Sequence, residues 1–201
     1  MERHHGAGRV APGLAPTGGG TIVGAVREDP DALRDETYAL FGEADWAALA
    51  ERADVRVEAG GALAPLPATD AEGACAEDAW GEPWRGVGAV AACASWLPVI
   101  HVRGAGRTTL RAPARWQGVL LVDGDLAVEG LVEGAGLVVV RGRLDAAGGA
   151  LVLHGALRAR GGATLGAGSR VVRSRCALDR AARGAGKPVA HGRRAWQDVT
   201  P

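Results

Sequence analysis

Val119-Leu-Leu-Val-Asp-Gly-Asp-Leu126 and Leu137-Val-Val-Val-Arg-Gly-Arg-Leu144 are one phrase written twice. Each has four apolar residues, a charge, a glycine, a second charge and a leucine, and the offset is 18 residues (137 − 119). A short apolar run closed by glycine reads as a strand entering a turn. Repetition at a period near ~20 residues reads as a solenoid with one coil per repeat.

The phrase extends in both directions when the residue before the glycine is taken as an anchor. The anchors are Arg103, Asp123, Arg141 and Arg160, with Arg175 as a fifth where Cys176 replaces the glycine, at spacings of 20, 18, 19 and 15. Three positions before them stand Ile100, Leu120, Val138, Leu157 and Val172, and one position before stand Val102, Val122, Val140, Ala159 and Ser174. Alternation along a strand places both columns on one face, the interior. His101, Leu121, Val139, Arg158 and Arg173 then point outward with the anchors. Arginine suits water there, but Leu121 and Val139 do not, so something must cover the middle coils on that side.

An antiparallel meander with strands of equal length gives similar spacing. Five successive aliphatic matches favour the parallel coil. Stacking in register at ~4.8 Å also places Arg103, Asp123 and Arg141 in one ladder and Asp125 beside Arg143, and opposite charges on neighbouring strands attract. The expected fold is mainly β: a parallel β-solenoid of four to five short coils with a small helical and irregular N-terminal region.

Composition agrees with thin coils. Of 201 residues 32 are glycine, and aromatics are 4%. Net charge is zero, but unevenly placed: residues 1–140 carry 11 basic and 20 acidic side chains, and residues 141–201 carry 12 and 3. Arg141, Arg158, Arg160, Arg173 and Arg175 lie at or beside the anchor column and form a candidate polyanion-binding strip. Its partner is either the chain's own acidic part or an external nucleic acid or acidic polysaccharide. No aromatic residue is interleaved with these arginines, so base stacking is not expected.

In chain order, residues 1–20 read as a flexible arm rich in glycine and proline. Residues 21–98 read as a strand, two short helices and an irregular segment packed on the solenoid. Asp29-Pro30 opens the first helix, with Leu33, Leu40 and Phe41 on one face, and Asp45 opens the second, with Trp46, Leu49 and Ala53 on one side. These helices are too short to stand alone; Trp46 and Leu49 are expected to pack against the solenoid, with its N-terminal end as one place for them. The solenoid itself is expected over residues 99–178, with a tail over residues 179–201 that carries Trp196. The long irregular stretch of residues 59–98 needs a staple or a function. A Cys75–Cys93 bond would close it with 17 residues between, worth ~3 kcal/mol of loop entropy; the alternative is two reduced, buried thiols. Cys176 is expected unpaired, at a buried corner of the last coil.

Catalytic patterns are weak. The three serines, Ser95, Ser169 and Ser174, lie outside any G-x-S-x-G pattern. Gly184-Ala-Gly-Lys-Pro188 departs from a phosphate loop, with Ala181 at the first glycine position and Pro188 at the serine or threonine. No histidine pair has metal spacing on a helix. Asp123 and Asp125 are the only close carboxylates on the coils. A carbohydrate-active solenoid enzyme would use such a pair in a cleft, whereas Arg141 and Arg143 favour a structural charge ladder. No catalytic residue, metal site or cofactor is expected, and the protein reads as non-enzymatic.

Several segments carry a resemblance in their order: Cys75 through Trp80-Gly-Glu-Pro83 to Cys93, Leu97-Pro-Val-Ile-His-Val-Arg-Gly104, Gln117-Gly-Val-Leu-Leu-Val-Asp-Gly-Asp-Leu126, the stretch 136–144, Arg173-Ser-Arg-Cys-Ala-Leu178 and Ala195-Trp-Gln-Asp198. Together, over roughly residues 20–200, they resemble bacterial envelope proteins described as PilX-like type IV pilus assembly proteins. That group joins a hydrophobic pilin-like N-terminal helix to a glycine-rich β-solenoid, and the helix has no counterpart in this sequence. The resemblance implies an accessory or minor component of a pilus or secretion-type filament in the cell envelope or outside the cell. Its partners would be pilus or secretion-apparatus proteins, and membrane attachment would come only through the missing helix. The other readings are a bactofilin-like scaffold that polymerises by self-association and, more weakly, the carbohydrate-active enzyme.

Overall fold

The computed structural model describes residues 21–23, 45–83 and 90–185. The arm over residues 1–20, the helix expected from Asp29 to Gly42 and the tail with Trp196 lie outside the described residues. The order is β1 (Thr21–Val23), α1 (Trp46–Glu51), β2 (Val55–Glu58), β3 (Ala62–Leu63), a 3-10 turn (Ala91–Ala94), then β4 (Val99–Arg103), β5 (Thr108–Arg111), β6 (Ala114–Val122), β7 (Leu126–Val140), β8 (Leu144–Ala146), β9 (Gly149–Ala159), β10 (Ala163–Leu165), β11 (Arg170–Arg173) and α2 (Arg175–Ala185).

All pairings between these strands are parallel, and the chain forms a β-solenoid. Each coil has three sides. The first stacks residues 55–58, 99–103, 119–122, 137–140 and 156–159. The second stacks residues 62–63, 108–111, 126–129, 144–146 and 163–165. The third stacks residues 114–117, 132–135, 151–154, 170–173 and 21–23. Among the described residues, β1 thus ends the ladder on this side.

The interior columns fall where the repeat puts them for four coils. Ile100, Leu120, Val138 and Leu157 are in register, as are Val102, Val122, Val140 and Ala159. The fifth match fails. Val172 pairs with His154 on the third side, and Arg175 begins a helix. The short spacing of 15 marks a strand that has left the first side. The ladder extends instead in the other direction, because Val55 pairs with Ile100 and Val57 with Val102. The stack therefore begins at Val55 rather than at residue 99.

Two features of the backbone make the corners possible. Gly118, Gly136 and Gly155 stack between the third and first sides, all with positive φ (101°, 133° and 153°). A Cβ on Gly136 would overlap the Gly118 carbonyl, and one on Gly155 the Gly136 carbonyl. Inside, the indole of Trp116, fully buried, lies where a side chain on its neighbour Gly134 would stand. One large ring thus fills two layers of a narrow core.

A second core lies outside the first side. Val99, Val119, Leu121 and Val139 are covered by Trp46, Leu49 and Ala53 from α1 and its end, and by Ala181 and Ala185 from α2. This meets the requirement that Leu121 and Val139 be covered; each side chain so buried contributes about 1.5–3 kcal/mol. Helix α1 sits on the flank of the stack, not over its end. Its N-cap is Asp45, whose Oδ1 accepts from the Ala48 amide at 2.7 Å.

Gly136→Ala is expected to destabilise by more than ~2 kcal/mol, since it adds both left-handed strain and overlap with backbone. Gly148→Ala, where a Cβ meets only the Val128 carbonyl at 3.8 Å, should stay within ~0.5 kcal/mol. Chemical denaturation of the two variants checks the contrast.

Candidate interaction surfaces

Residues 64–98 are an insertion in one coil, on the third side. They leave β3 and rejoin at β4. Where a strand would lie under residues 114–117, two separate carbonyls take its place. The Arg115 amide donates to Pro65 and the Gln117 amide to Trp80, each at 2.8 Å. The insertion is thus part of the solenoid rather than a segment packed on it. Insertions in repeat folds gather on one face and commonly carry the binding function.

The outer part of the insertion is an acidic finger. Thr69 and Cys75 form an antiparallel bridge. Asp70 accepts the Ala74 amide on Oδ1 at 2.8 Å and its own amide donates to the Ala74 carbonyl at 3.0 Å. Asp70, Glu72, Glu77 and Asp78 are all exposed, and Leu66 at the base is 48% exposed. The Cys75–Cys93 bond is present, with Cα atoms 4.8 Å apart. It ties the finger to the fully buried Cys93.

The inner part is held by Gln117, which is buried. Its Nε2 donates to the carbonyls of Cys93 (3.0 Å), Ala94 (3.1 Å) and Trp96 (2.7 Å). Arg180 of α2 donates to the same Ala94 carbonyl at 2.9 Å and to Gln117 Oε1 at 3.4 Å. A primary amide supplies both donors and an acceptor in one plane, so one side chain joins insertion, coil and C-terminal helix. Beside it, Glu82, nearly inaccessible, faces the Arg115 guanidinium at 3.7 Å, which also meets Glu133 at 3.4 Å. A buried carboxylate tolerates burial only with such a partner.

The expected ladder charges bridge neighbouring coils. Asp123 accepts the Gly104 amide on Oδ2 at 3.1 Å and meets His101 at 3.2 Å and Arg141 at 3.8 Å. Asp125 accepts the Arg143 amide at 2.7 Å, while the Arg143 guanidinium turns to Thr164. Arg141 also lies over the Trp46 ring at 4.7 Å, and Trp46 stands edge-on to His101. This cation–π stack latches α1 to the coils.

The arginine strip is not one face. Arg158 lies outward on the first side, and Arg141 and Arg160 follow one another at the adjoining corner. Arg173 is on the third side and Arg175 at the start of α2. The reason is again the misassigned fifth coil. Cys176 is unpaired, as expected, but exposed on α2 rather than buried at a corner.

Among the described residues no group of three or more His, Cys, Asp or Glu could hold a metal ion. Among them, no helix is long and apolar enough to cross a membrane. No family model, curated protein or solved structure matches the chain.

Two restraints with separate territories predict separate responses. Reduction of Cys75–Cys93 should speed amide exchange over residues 64–78 only. Gln117→Leu with the disulfide intact strips the buried amide from the carbonyls of Cys93, Ala94 and Trp96, of which the first two keep other donors, should cost about 2 kcal/mol, and should extend fast exchange to residues 79–83, 90–98 and α2. Hydrogen exchange read by mass spectrometry distinguishes the two patterns.

Proposed function

We propose that this chain is a non-enzymatic structural or accessory component of a type IV pilus or secretion-type filament in the cell envelope. In that role a stiff coil stack presents its stapled insertion to a partner of the same apparatus. The observation that carries the non-catalytic part is the engagement of the coil carboxylates. Asp123 and Asp125, the pair a solenoid hydrolase would use, each accept a backbone amide from a neighbouring coil. A carboxylate committed to holding an amide of the adjacent layer is poorly placed to transfer protons to a substrate. Support for the presentation part comes from the insertion itself. It is fixed at its root by Gln117, Arg180 and a disulfide, and it exposes four carboxylates at its outer end. A preorganised loop loses little conformational freedom on binding. The pilus setting rests on the ordered motifs that resemble the PilX-like group.

The test is complementation in the source organism. Deleting the gene should reduce surface filaments seen by electron microscopy. The unaltered chain and an Asp125→Asn variant should restore them. A finger variant, Asp70→Asn with Glu72→Gln, Glu77→Gln and Asp78→Asn, should not. Unchanged filaments in the deletion strain would overturn the setting. Restoration by the finger variant would overturn the role given to the insertion.

A further inference from the structure

The Cys75–Cys93 bond joins two pieces of the insertion that each have hydrogen bonds of their own. The finger is a closed hairpin without it. The Ala76 amide donates to the Ala68 carbonyl at 2.9 Å, the Asp70 amide to the Ala74 carbonyl at 3.0 Å, and the Ala74 amide to Asp70 Oδ1 at 2.8 Å. Cys75 belongs to this hairpin and bridges to Thr69. Cys93 belongs to the 3-10 turn Ala91–Ala94. Its amide donates to the Val90 carbonyl at 3.0 Å. Its carbonyl accepts the amides of Glu82 and Trp96, each at 3.2 Å, and Gln117 Nε2 at 3.0 Å. The disulfide is therefore not what shapes either piece, and opening it requires no hydrogen bond within either to break.

The two sulfurs are not equivalent. Cys93 is 0% exposed, whereas Cys75 is half-buried. An incoming thiol reaches Cys75, and Cys93 is the leaving sulfur. That leaving sulfur has an acceptor waiting. Cys93 Sγ lies 3.2 Å from the Ala68 carbonyl oxygen. A disulfide sulfur carries no hydrogen and cannot donate to that oxygen, but a thiol can.

Charge selects the incoming group. Residues 64–78 hold Asp70, Glu72, Glu77 and Asp78 and no basic side chain. All four carboxylates are exposed, two on each side of Cys75 in the chain. They repel an anionic thiol and draw a cationic one.

From this we infer that Cys75–Cys93 is an exchangeable bond, entered at Cys75 by a cysteine of a partner protein that lies among basic side chains. The thiolate of that cysteine attacks Cys75 Sγ. A bond forms between the partner's sulfur and Cys75 Sγ, and the bond between Cys75 and Cys93 breaks. Cys93 Sγ leaves with the electron pair and takes up the proton that the incoming thiol gave to solvent. The partner's sulfur is oxidised from thiol to disulfide and Cys93 is reduced from disulfide to thiol, so no further oxidant or reductant is needed. The finger then holds the partner covalently, while the root stays clasped by Gln117 and Arg180.

This rests on the reading of the insertion as the element that meets a partner, but the sulfur chemistry is tested without any filament, so the two can fail separately. The experiment uses the full chain carrying Cys176→Ser, which leaves no other thiol to exchange. Short peptides with a central cysteine flanked by arginine, alanine or glutamate are the probes. Acid quenching, alkylation in denaturant and peptide mass spectrometry locate the mixed disulfide. It should lie on Cys75, with Cys93 recovered as the alkylated thiol. Per thiolate, the arginine peptide should react about tenfold faster than the alanine peptide at ~0.05 M salt, the glutamate peptide should be slowest, and the order should shrink at ~0.5 M. The variant Asp70→Asn with Glu72→Gln, Glu77→Gln and Asp78→Asn should react with all three alike. Hydrogen exchange over β4 to β9 should be unchanged in the adduct. Adducts on Cys93, or equally on both cysteines, would overturn the inference. So would rates indifferent to peptide charge, or opening that occurs only as the coils unfold.

Discussion

The in-register parallel ladder is the interaction on which everything else here depends. Each layer takes its hydrogen bonds from the layers above and below, so each residue of a coil has one fixed neighbour in the next. That constraint reaches into every column. At the corner it demands glycine, because Gly118, Gly136 and Gly155 place each carbonyl where the next Cβ would be. In the interior it demands a shared size, and Trp116 is admitted only because Gly134 yields its place. At the surface it sets charge beside charge, as in Asp123 with Arg141 and Asp125 with the amide of Arg143.

This is also why much of the fold was readable in the sequence. A column of stacked side chains must repeat in the chain at the coil length, so Ile100, Leu120, Val138 and Leu157 announce themselves. Leu121 and Val139, apolar on an outward column, likewise announce a covering layer, and two helices supply it. The periodicity misled at the last step, where Val172 matches the column in type but sits on a different side. The period itself does not reach Val55–Glu58, because residues 64–98 separate that coil from the next.

The insertion's own anchors were less legible. Gln117 is one polar residue in an apolar run, and only the carbonyls of Cys93, Ala94 and Trp96 reveal why an amide is needed there. The exchange of Glu82 with Arg115 and Glu133 likewise joins positions with no fixed spacing between them. The arginines after residue 140 were visible as charge but not as geometry. They separate onto the first side, the corner, the third side and α2 once the coil assignment is corrected. The same geometry turns an uneven charge distribution into a polarity along the stack, acidic where the coils begin and basic where they end.

The parallel stack can be tested directly by nuclear Overhauser contacts in uniformly labelled protein. The account predicts backbone contacts linking residues 119–122 to 137–140, and 137–140 to 156–159, in parallel order, with Leu120 opposite Val138 and Val138 opposite Leu157. Antiparallel order between these segments, or the absence of contacts joining them, would contradict it.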